Sequence, residues 1–120
     1  VMITGKEKDK EPSEESFVAI AKDNIITSEG FGFLKNIIID QHFLYRKRHN
    51  RLFSVLMDNP TMRGIGIDEA TAIIIKPDNS FEVIGESNVL VYEPQNQLSI
   101  VDDIPVFTIK ILSTGEHYKL

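Results

Sequence analysis

His42, Asp68 and Glu69 are the residues of this chain whose types and spacing favour catalysis. His42 follows an apolar run that ends in three isoleucines, and the two acids follow a second apolar run. Catalytic groups of open α/β sheets collect at the carboxyl ends of strands. A histidine there is the usual general base for a hydroxyl nucleophile, and a carboxylate beside it holds the imidazole in one tautomer. These residues could therefore supply two parts of a serine-hydrolase triad.

Each of these residues also has an ordinary structural interpretation. His42 could cap a turn or lie on the surface, and either acid could meet solvent at a strand end. Because side chains alternate along a strand, Asp68 and Glu69 point in different directions, and the sequence leaves open which of them faces His42. Asp40, His42 and Asp68 could be written as a ligand set, but they form no recognisable metal motif. We therefore expect no metal and no cofactor.

The nucleophile that such a triad needs is not visible in the sequence. None of the eight serines stands in a G-x-S-x-G setting between a strand and a helix. The chain has no cysteine, which excludes thiol nucleophiles and disulfides. We expect no nucleophile within this chain.

A basic cluster follows His42, although the whole chain carries a net charge of −5. It contains Arg46, Arg48 and Arg51, and the guanidinium groups suit a substrate carboxylate. A solvated helix face paired with nearby acids explains the same composition.

The acidic balance of the whole chain argues against a nucleic-acid partner. The sequence shows neither a signal-peptide pattern nor an apolar run of roughly 18 residues, so we expect a cytoplasmic protein without a membrane partner.

The elements that must position these residues form a strand–helix–strand unit. Residues 34–40 predict a strand buried on both faces, residues 43–57 a helix that ends before Pro60, and residues 65–68 a second strand. Such βαβ units have parallel strands in nearly all cases. Residues 71–76 and 81–85 predict a hairpin, residues 88–92 and 106–112 predict further strands, and residues 6–16 an exposed loop.

Three motifs, together and in order, resemble the cyanophycinase family, in a group of serine peptidases that also contains aspartyl dipeptidase (peptidase E). They are I-I-D-Q-H-F at residues 38–43, R-x-R-x-x-R-L at residues 46–52 and G-I-G-I-D-E-x-T-A at residues 64–72. Residues 115–120 resemble the family's carboxyl end. Residues 1–5 resemble the segment shortly after its nucleophile motif. The resemblance spans the whole chain.

The resemblance implies a fold and a domain organisation. The fold is an α/β, three-layer arrangement like the class I glutamine amidotransferase domain, with a mixed, mostly parallel sheet and a β-hairpin extension. Residues 1–120 would form a single partial domain, the C-terminal half of the peptidase domain. We therefore expect the missing N-terminal half as a partner. A homodimer stays an open alternative.

The resemblance also implies roles for single residues. His42 matches the family's histidine in a Ser-His-Glu charge relay, Glu69 matches the acid, and Asp68 stays the alternative acid. Residues that match the family's substrate pocket are Asp40, Gln41, Arg46, Arg48 and Arg51.

The implied activity is that of a serine peptidase that cuts a β-aspartyl-arginine polymer to dipeptides. Without the serine, this chain alone would be inactive. Two alternatives remain open: a fragment of an aspartyl or isoaspartyl dipeptidase, and a non-catalytic module that binds aspartyl ligands.

Overall fold

The computed structural model describes residues 2–11, 17–94 and 104–120. Within these ranges the chain forms one helix and nine strands in three sheets. In chain order they are β1 (Met2–Glu7), β2 (Ile25–Ser28), β3 (Ile37–Gln41), α1 (His49–Asp58), β4 (Arg63–Ile67), β5 (Thr71–Ile75), β6 (Ser80–Gly85), β7 (Val89–Pro94), β8 (Phe107–Leu112) and β9 (His117–Lys119). None of the described helical residues belongs to a helix that is long and apolar enough to cross a membrane.

The predicted strand–helix–strand unit is present. β3 and β4 pair in parallel, from Ile37 opposite Arg63 to Gln41 opposite Ile67, and α1 connects them. The carboxyl ends of both strands therefore lie at the same edge of the sheet. The predicted hairpin is present as well, because β5 and β6 pair antiparallel.

The expectation of a mostly parallel sheet is wrong for the described residues. The four-stranded sheet has the order β3-β4-β7-β8, and it is mixed. Only β3 and β4 are parallel in it, whereas β4–β7 and β7–β8 are antiparallel. A parallel neighbour needs a crossover of a dozen or more residues. α1 provides one such crossover, and the β5–β6 hairpin instead returns the chain in the opposite direction.

Two apolar clusters cover the two faces of the four-stranded sheet. On one face, Ile38 and Tyr92 pack with Leu52 and Val55 of α1. On the other face, Ile65 packs in a cluster with residues of the three-stranded sheet β5-β6-β9. The strand at residues 37–41 is thus covered on the helix side, but Ile39 stays 43% exposed on the other side. The expected burial of this strand on both faces is wrong, because β3 lies at the edge of the described sheet.

The strand boundaries differ from the predicted ones by up to three residues, and larger differences occur at the helix start and in the loop at residues 6–16. The helix begins at His49 and not at Phe43, and residues 43–48 form turns. The backbone N–H of Phe43 donates to the carbonyl of Ile67 on β4 (3.2 Å). This long-range hydrogen bond holds Phe43 against the strand at a position where the spacing predicts the start of the helix. In the expected loop 6–16, residues 6 and 7 belong to β1, residues 8–11 are exposed, and residues 12–16 lie outside the described ranges.

The ring of Phe43 packs directly on β4 because Gly66 has no side chain. A Cβ added at Gly66 would lie 2.4 Å from Cδ1 of Phe43. A Cβ at Gly64 would lie 2.8 Å from the terminal Cδ1 of Leu56. The glycines of the G-I-G-I motif therefore let α1 and the turn before it approach the strand closely.

Gly66→Ala should destabilise the fold by about 1–3 kcal/mol, because the fully buried ring of Phe43 has no room to retreat. Gly64→Ala should cost less, since the methyl end of Leu56 can rotate away. Chemical denaturation of both variants measures the difference. A Gly66→Ala protein as stable as the unaltered chain would contradict this account of the packing.

Candidate active site

His42 lies in a sharp turn at the carboxyl end of β3. Its φ is 50°, in the left-handed region that a residue with a side chain seldom adopts. Nδ1 of its imidazole lies 3.1 Å from Oε1 of Glu69. The nitrogen is buried and has no well-aligned hydrogen-bond partner among the described residues, although the distance is short. The two side chains are thus within ion-pair distance, but the ring is not aligned for a hydrogen bond.

Asp68 makes contacts different from those of its neighbour Glu69. Its Oδ1 accepts the backbone N–H groups of Leu44 and Tyr45, each at 2.9 Å. Its Oδ2 accepts the hydroxyl of Ser87 at 2.6 Å. Asp68 therefore holds the turn after His42, and Glu69 is the acid that lies beside the imidazole.

The hydrogen bonds of Asp68 set its charge state. Burial is the largest single influence on this carboxyl, and it acts to raise the pKa. The hydroxyl of Ser87 and the N–H groups of Tyr45, Glu69 and Leu44 act in the other direction, and together they lower the pKa of Asp68. The ionised carboxylate is thus the form that the fold stabilises.

Thr71 and Ser87 fix the backbone that carries Glu69, and analysis of the sequence missed both. The Thr71 hydroxyl donates to the carbonyl of Glu69 (3.0 Å) and accepts the N–H of Ser87 (3.0 Å). Thr71 belongs to the motif at residues 64–72, which could have pointed to it. Ser87 carries no such signal, because its importance comes only from its contacts with Thr71 and Asp68 in the folded chain.

The three arginines of the basic cluster have different surroundings. Arg51 is 7% exposed and forms a two-point ion pair with Asp40, which is 2% exposed. Nε of Arg51 donates to Oδ2 of Asp40 at 2.7 Å, and Nη2 donates to Oδ1. Arg48 donates from Nη1 to the carbonyl of Gln41 at 2.7 Å. These two guanidinium groups are bound within the fold.

Arg46 is the most accessible arginine of the cluster. Its side chain is 55% exposed, and its Nε lies 3.6 Å from Oε1 of Glu69. The same oxygen contacts His42. Arg46 therefore lies beside the histidine and the acid with its guanidinium group partly exposed to solvent.

Burial alters the ionisation of two further groups behind the site. Burial first, and then the charge of Arg51, lower the pKa of Arg48. Burial first, and then the charge of Asp40, raise the pKa of Tyr92 to about 12. The phenol of Tyr92 stays protonated, and its oxygen lies 3.0 Å from Nδ1 of His49. Both rings pack edge-on against the ring of Phe43, behind the turn at His42.

A cleft of about 490 Å³ opens at the strand ends, and a groove of about 470 Å³ runs beside β3. The cleft is lined by Gln41, His42, Asp68 and Glu69 together with residues 39, 67 and 70–73. Asp40 and Arg51 line the groove, which shares Ile39 and Gln41 with the cleft. Among the described residues, no three His, Asp or Glu side chains are grouped so that they could hold a metal ion.

Comparison with known proteins relates the chain to curated enzymes of one class. These relatives are cyanophycinases: the chain is 42% identical to that of Geminocystis herdmanii over 98 residues, 38% to that of Trichormus variabilis over 100 residues, and 30% to that of Synechococcus elongatus over 100 residues. The matches cover 74%, 76% and 76% of this chain. The resemblance to cyanophycinases is thereby confirmed.

The matched segments cover 36%, 34% and 31% of these relatives. The chain thus spans about a third of the length of the curated relatives it matches. No protein-family model matches the chain.

Asp68→Asn should lower the free energy of unfolding at pH 7 by about 1–2 kcal/mol, because two backbone donors lose a charged acceptor. The pKa of Asp68 is lower in the folded chain than the usual unfolded value of about 3.9. The contribution of the Asp68 carboxylate to the free energy of unfolding is therefore fully present above about pH 4, and it is lost as the pH falls through the folded pKa.

Chemical denaturation at pH 7 and pH 3 tests this sign. The difference between Asp68→Asn and the unaltered chain should shrink at pH 3. Glu69→Gln is the matched control, and its stability should stay within about 0.5 kcal/mol of the original. An equal loss of stability from Asp68→Asn at both pH values would refute the role of its charge.

Arg51→Ala should destabilise the chain by about 3–5 kcal/mol, because it leaves the buried carboxylate of Asp40 without its main partner. Arg46→Ala is the control, since its pair with Glu69 is exposed and should contribute about 0–1 kcal/mol. Urea denaturation distinguishes the two. Equal effects of both substitutions would mean that the buried pair does not anchor the fold.

Proposed function

We propose that this chain supplies the histidine and the acid of a cyanophycinase-like serine peptidase, which hydrolyses a β-aspartyl-arginine polymer to dipeptides in the cytoplasm. The contact of His42 Nδ1 with Glu69 Oε1 at 3.1 Å, in an open cleft, carries the proposal. The similarity to cyanophycinases supports the substrate. The complete domain would have a three-layer fold like the class I glutamine amidotransferase domain.

In this proposal His42 acts as general base and then as general acid. Glu69 accepts a hydrogen bond from Nδ1 and leaves Nε2 to face the nucleophile. Nε2 takes the proton of a serine hydroxyl while the serine oxygen bonds to the scissile carbonyl carbon. The imidazolium then gives this proton to the leaving amine as the peptide bond breaks. In the second half of the reaction, Nε2 of His42 takes a proton from a water molecule while the water oxygen bonds to the acyl carbon. The imidazolium then returns the proton to the serine oxygen as the acyl bond breaks.

Arg46 and Gln41 contact the substrate in this proposal. Arg46 has an accessible guanidinium group that suits the carboxylate of an aspartyl unit. Gln41 lines the cleft beside His42. Asp40, Arg48 and Arg51 shape the pocket from behind, because their side chains bind one another and the carbonyl of Gln41.

In this proposal the serine belongs to polypeptide that corresponds to the part of the relatives outside the match. About two thirds of each relative lies outside the match, since the matched shares are 31–36%. The chain alone is inactive in this proposal, because a histidine and an acid without a nucleophile have nothing to activate.

Co-expression tests the proposal. The chain is co-expressed with the part of the Geminocystis herdmanii relative that lies outside the match, and release of β-aspartyl-arginine dipeptide from the polymer is measured. His42→Ala and Glu69→Gln should each lower kcat/KM by about 10³-fold or more. Asp78→Asn, at an exposed turn, is the control and should retain activity.

Full activity in His42→Ala or Glu69→Gln would remove the proposed pair. A panel of α- and β-aspartyl dipeptides tests the substrate. Preference for a free dipeptide over the polymer would replace the polymer in the proposal with the dipeptidase alternative. Binding of aspartyl-arginine without turnover would support the non-catalytic alternative.

A further inference from the structure

The turn between β4 and β5 carries Glu69, and the residue after it has an unfavourable backbone conformation. Ala70 has a φ of 52°, in the left-handed region that residues with a Cβ seldom adopt. Such a conformation persists only where the surrounding structure holds it. Because the backbone at Ala70 sets the direction of the residues on either side, the contacts that hold this turn also determine where the carboxylate of Glu69 lies.

The end of β6 holds the turn from one side. The N–H of Glu86, directly after β6, donates to the carbonyl of Ala70 at 2.9 Å. Gly85 permits this close approach, because a Cβ at that position would lie 2.2 Å from the carbonyl oxygen of Ala70. Gly85 itself has a φ of 111°, which glycine adopts without steric cost. The left-handed residue is therefore bound on the side of β6.

Thr71 ties the acid to the same segment. Its hydroxyl donates to the carbonyl of Glu69 (3.0 Å) and accepts the N–H of Ser87 (3.0 Å). The side chain of Glu69 takes no part in these bonds, and its Oε1 lies 3.1 Å from Nδ1 of His42. One hydroxyl group thus fixes the backbone of the acid while the carboxylate stays beside the histidine.

We propose that Thr71 is a positioning residue of the reaction: its hydroxyl holds the left-handed turn in the shape that keeps the carboxylate of Glu69 beside the imidazole of His42. This inference rests on the proposed function. Thr71 acts through Glu69, whose carboxylate fixes the tautomer of His42 and stabilises the imidazolium. A displacement of about 1 Å in such a group can cost on the order of a hundredfold in rate.

Thr71→Val removes the hydroxyl and keeps the shape of the side chain. The chain is co-expressed with the unmatched part of the Geminocystis herdmanii relative, and hydrolysis of the polymer is measured. Thr71→Val should lower kcat by about 10–100-fold. KM should change less than about twofold, because Thr71 does not bind the substrate in this proposal. Thr71→Ser restores the hydroxyl and should keep kcat within about threefold of the unaltered complex.

Ser54 of α1 provides a matched control, because its hydroxyl makes the same two kinds of hydrogen bond. It donates to the carbonyl of Asn50 (3.0 Å) and accepts the N–H of Ala21 (3.1 Å). Ser54 is fully buried, whereas Thr71 is partly exposed. Ser54→Ala should therefore lower the urea midpoint at least as much as Thr71→Val does. It should nevertheless keep kcat within about threefold of the unaltered complex.

A purely structural role for Thr71 would make activity follow stability. Equal losses of kcat in Ser54→Ala and Thr71→Val would overturn the inference, and so would full activity in Thr71→Val. A raised KM with an unchanged kcat would assign Thr71 to substrate binding and would overturn it as well. Urea denaturation of each complex establishes that the variants are folded under the assay conditions.

A second background keeps the test available if Thr71→Val does not fold. Ala70→Gly relieves the left-handed conformation, so it should raise the urea midpoint. Its kcat should stay within about threefold of the unaltered complex, because the Thr71 hydroxyl still holds the turn. Thr71→Val is then added to Ala70→Gly and should again lower kcat by at least about tenfold. An unchanged kcat in this double variant would refute the positioning role.

The ring protons of His42 give a readout that does not depend on hydrolysis. In NMR spectra of the chain alone, Glu69→Gln should shift these signals, Thr71→Val should shift them in the same direction, and Ser54→Ala should leave them in place. If the unaltered complex does not hydrolyse the polymer, the proposed function fails, and unshifted His42 signals in Thr71→Val would separately refute the positioning role. Hydrolysis that Thr71→Val leaves intact would refute the positioning role alone.

Discussion

The buried ion pair between Asp40 and Arg51 is the interaction on which the site depends. Asp40 ends the covered part of β3, and Arg51 lies on the first turn of α1, so the pair joins the two elements on either side of His42. The guanidinium group also lies over the ring of Phe17, 5.5 Å from its centroid. Desolvation of two charges makes such a pair costly, and its value lies in fixing one geometry.

A second anchor acts from the other strand. Asp68, at the end of β4, binds the amides of Leu44 and Tyr45 directly after the turn at His42. A left-handed residue costs of order 1–3 kcal/mol and persists only where its surroundings hold it. The two anchors hold His42 from both sides. Glu69 and Arg46 stay partly exposed beside it, whereas the carboxylates of Asp40 and Asp68 are bound within the fold.

Local patterns predicted the β3–α1–β4 unit and the hairpin, because isoleucine runs, helical spacing and Pro60 act over short distances. They misplaced the helix start, since the amide of Phe43 is bound by Ile67, which is 24 residues away. They also left the choice between Asp68 and Glu69 open, because Asp68 is distinguished by contacts with residues distant in the chain, namely Leu44, Tyr45 and Ser87. The surroundings of Arg51 depend on the carboxylate of Asp40 eleven residues earlier, which spacing on a helix does not reveal.

The position of Arg48 links the fold to the turn that carries His42. Its Nη1 donates to the carbonyl of Gln41, the residue before His42. The N–H of Gln41 donates to Oδ1 of Asp40, whose carboxylate Arg51 binds in turn. The backbone N–H and carbonyl of Gln41 are therefore both bound by charged side chains, so the chain enters the left-handed turn at His42 from a fixed backbone.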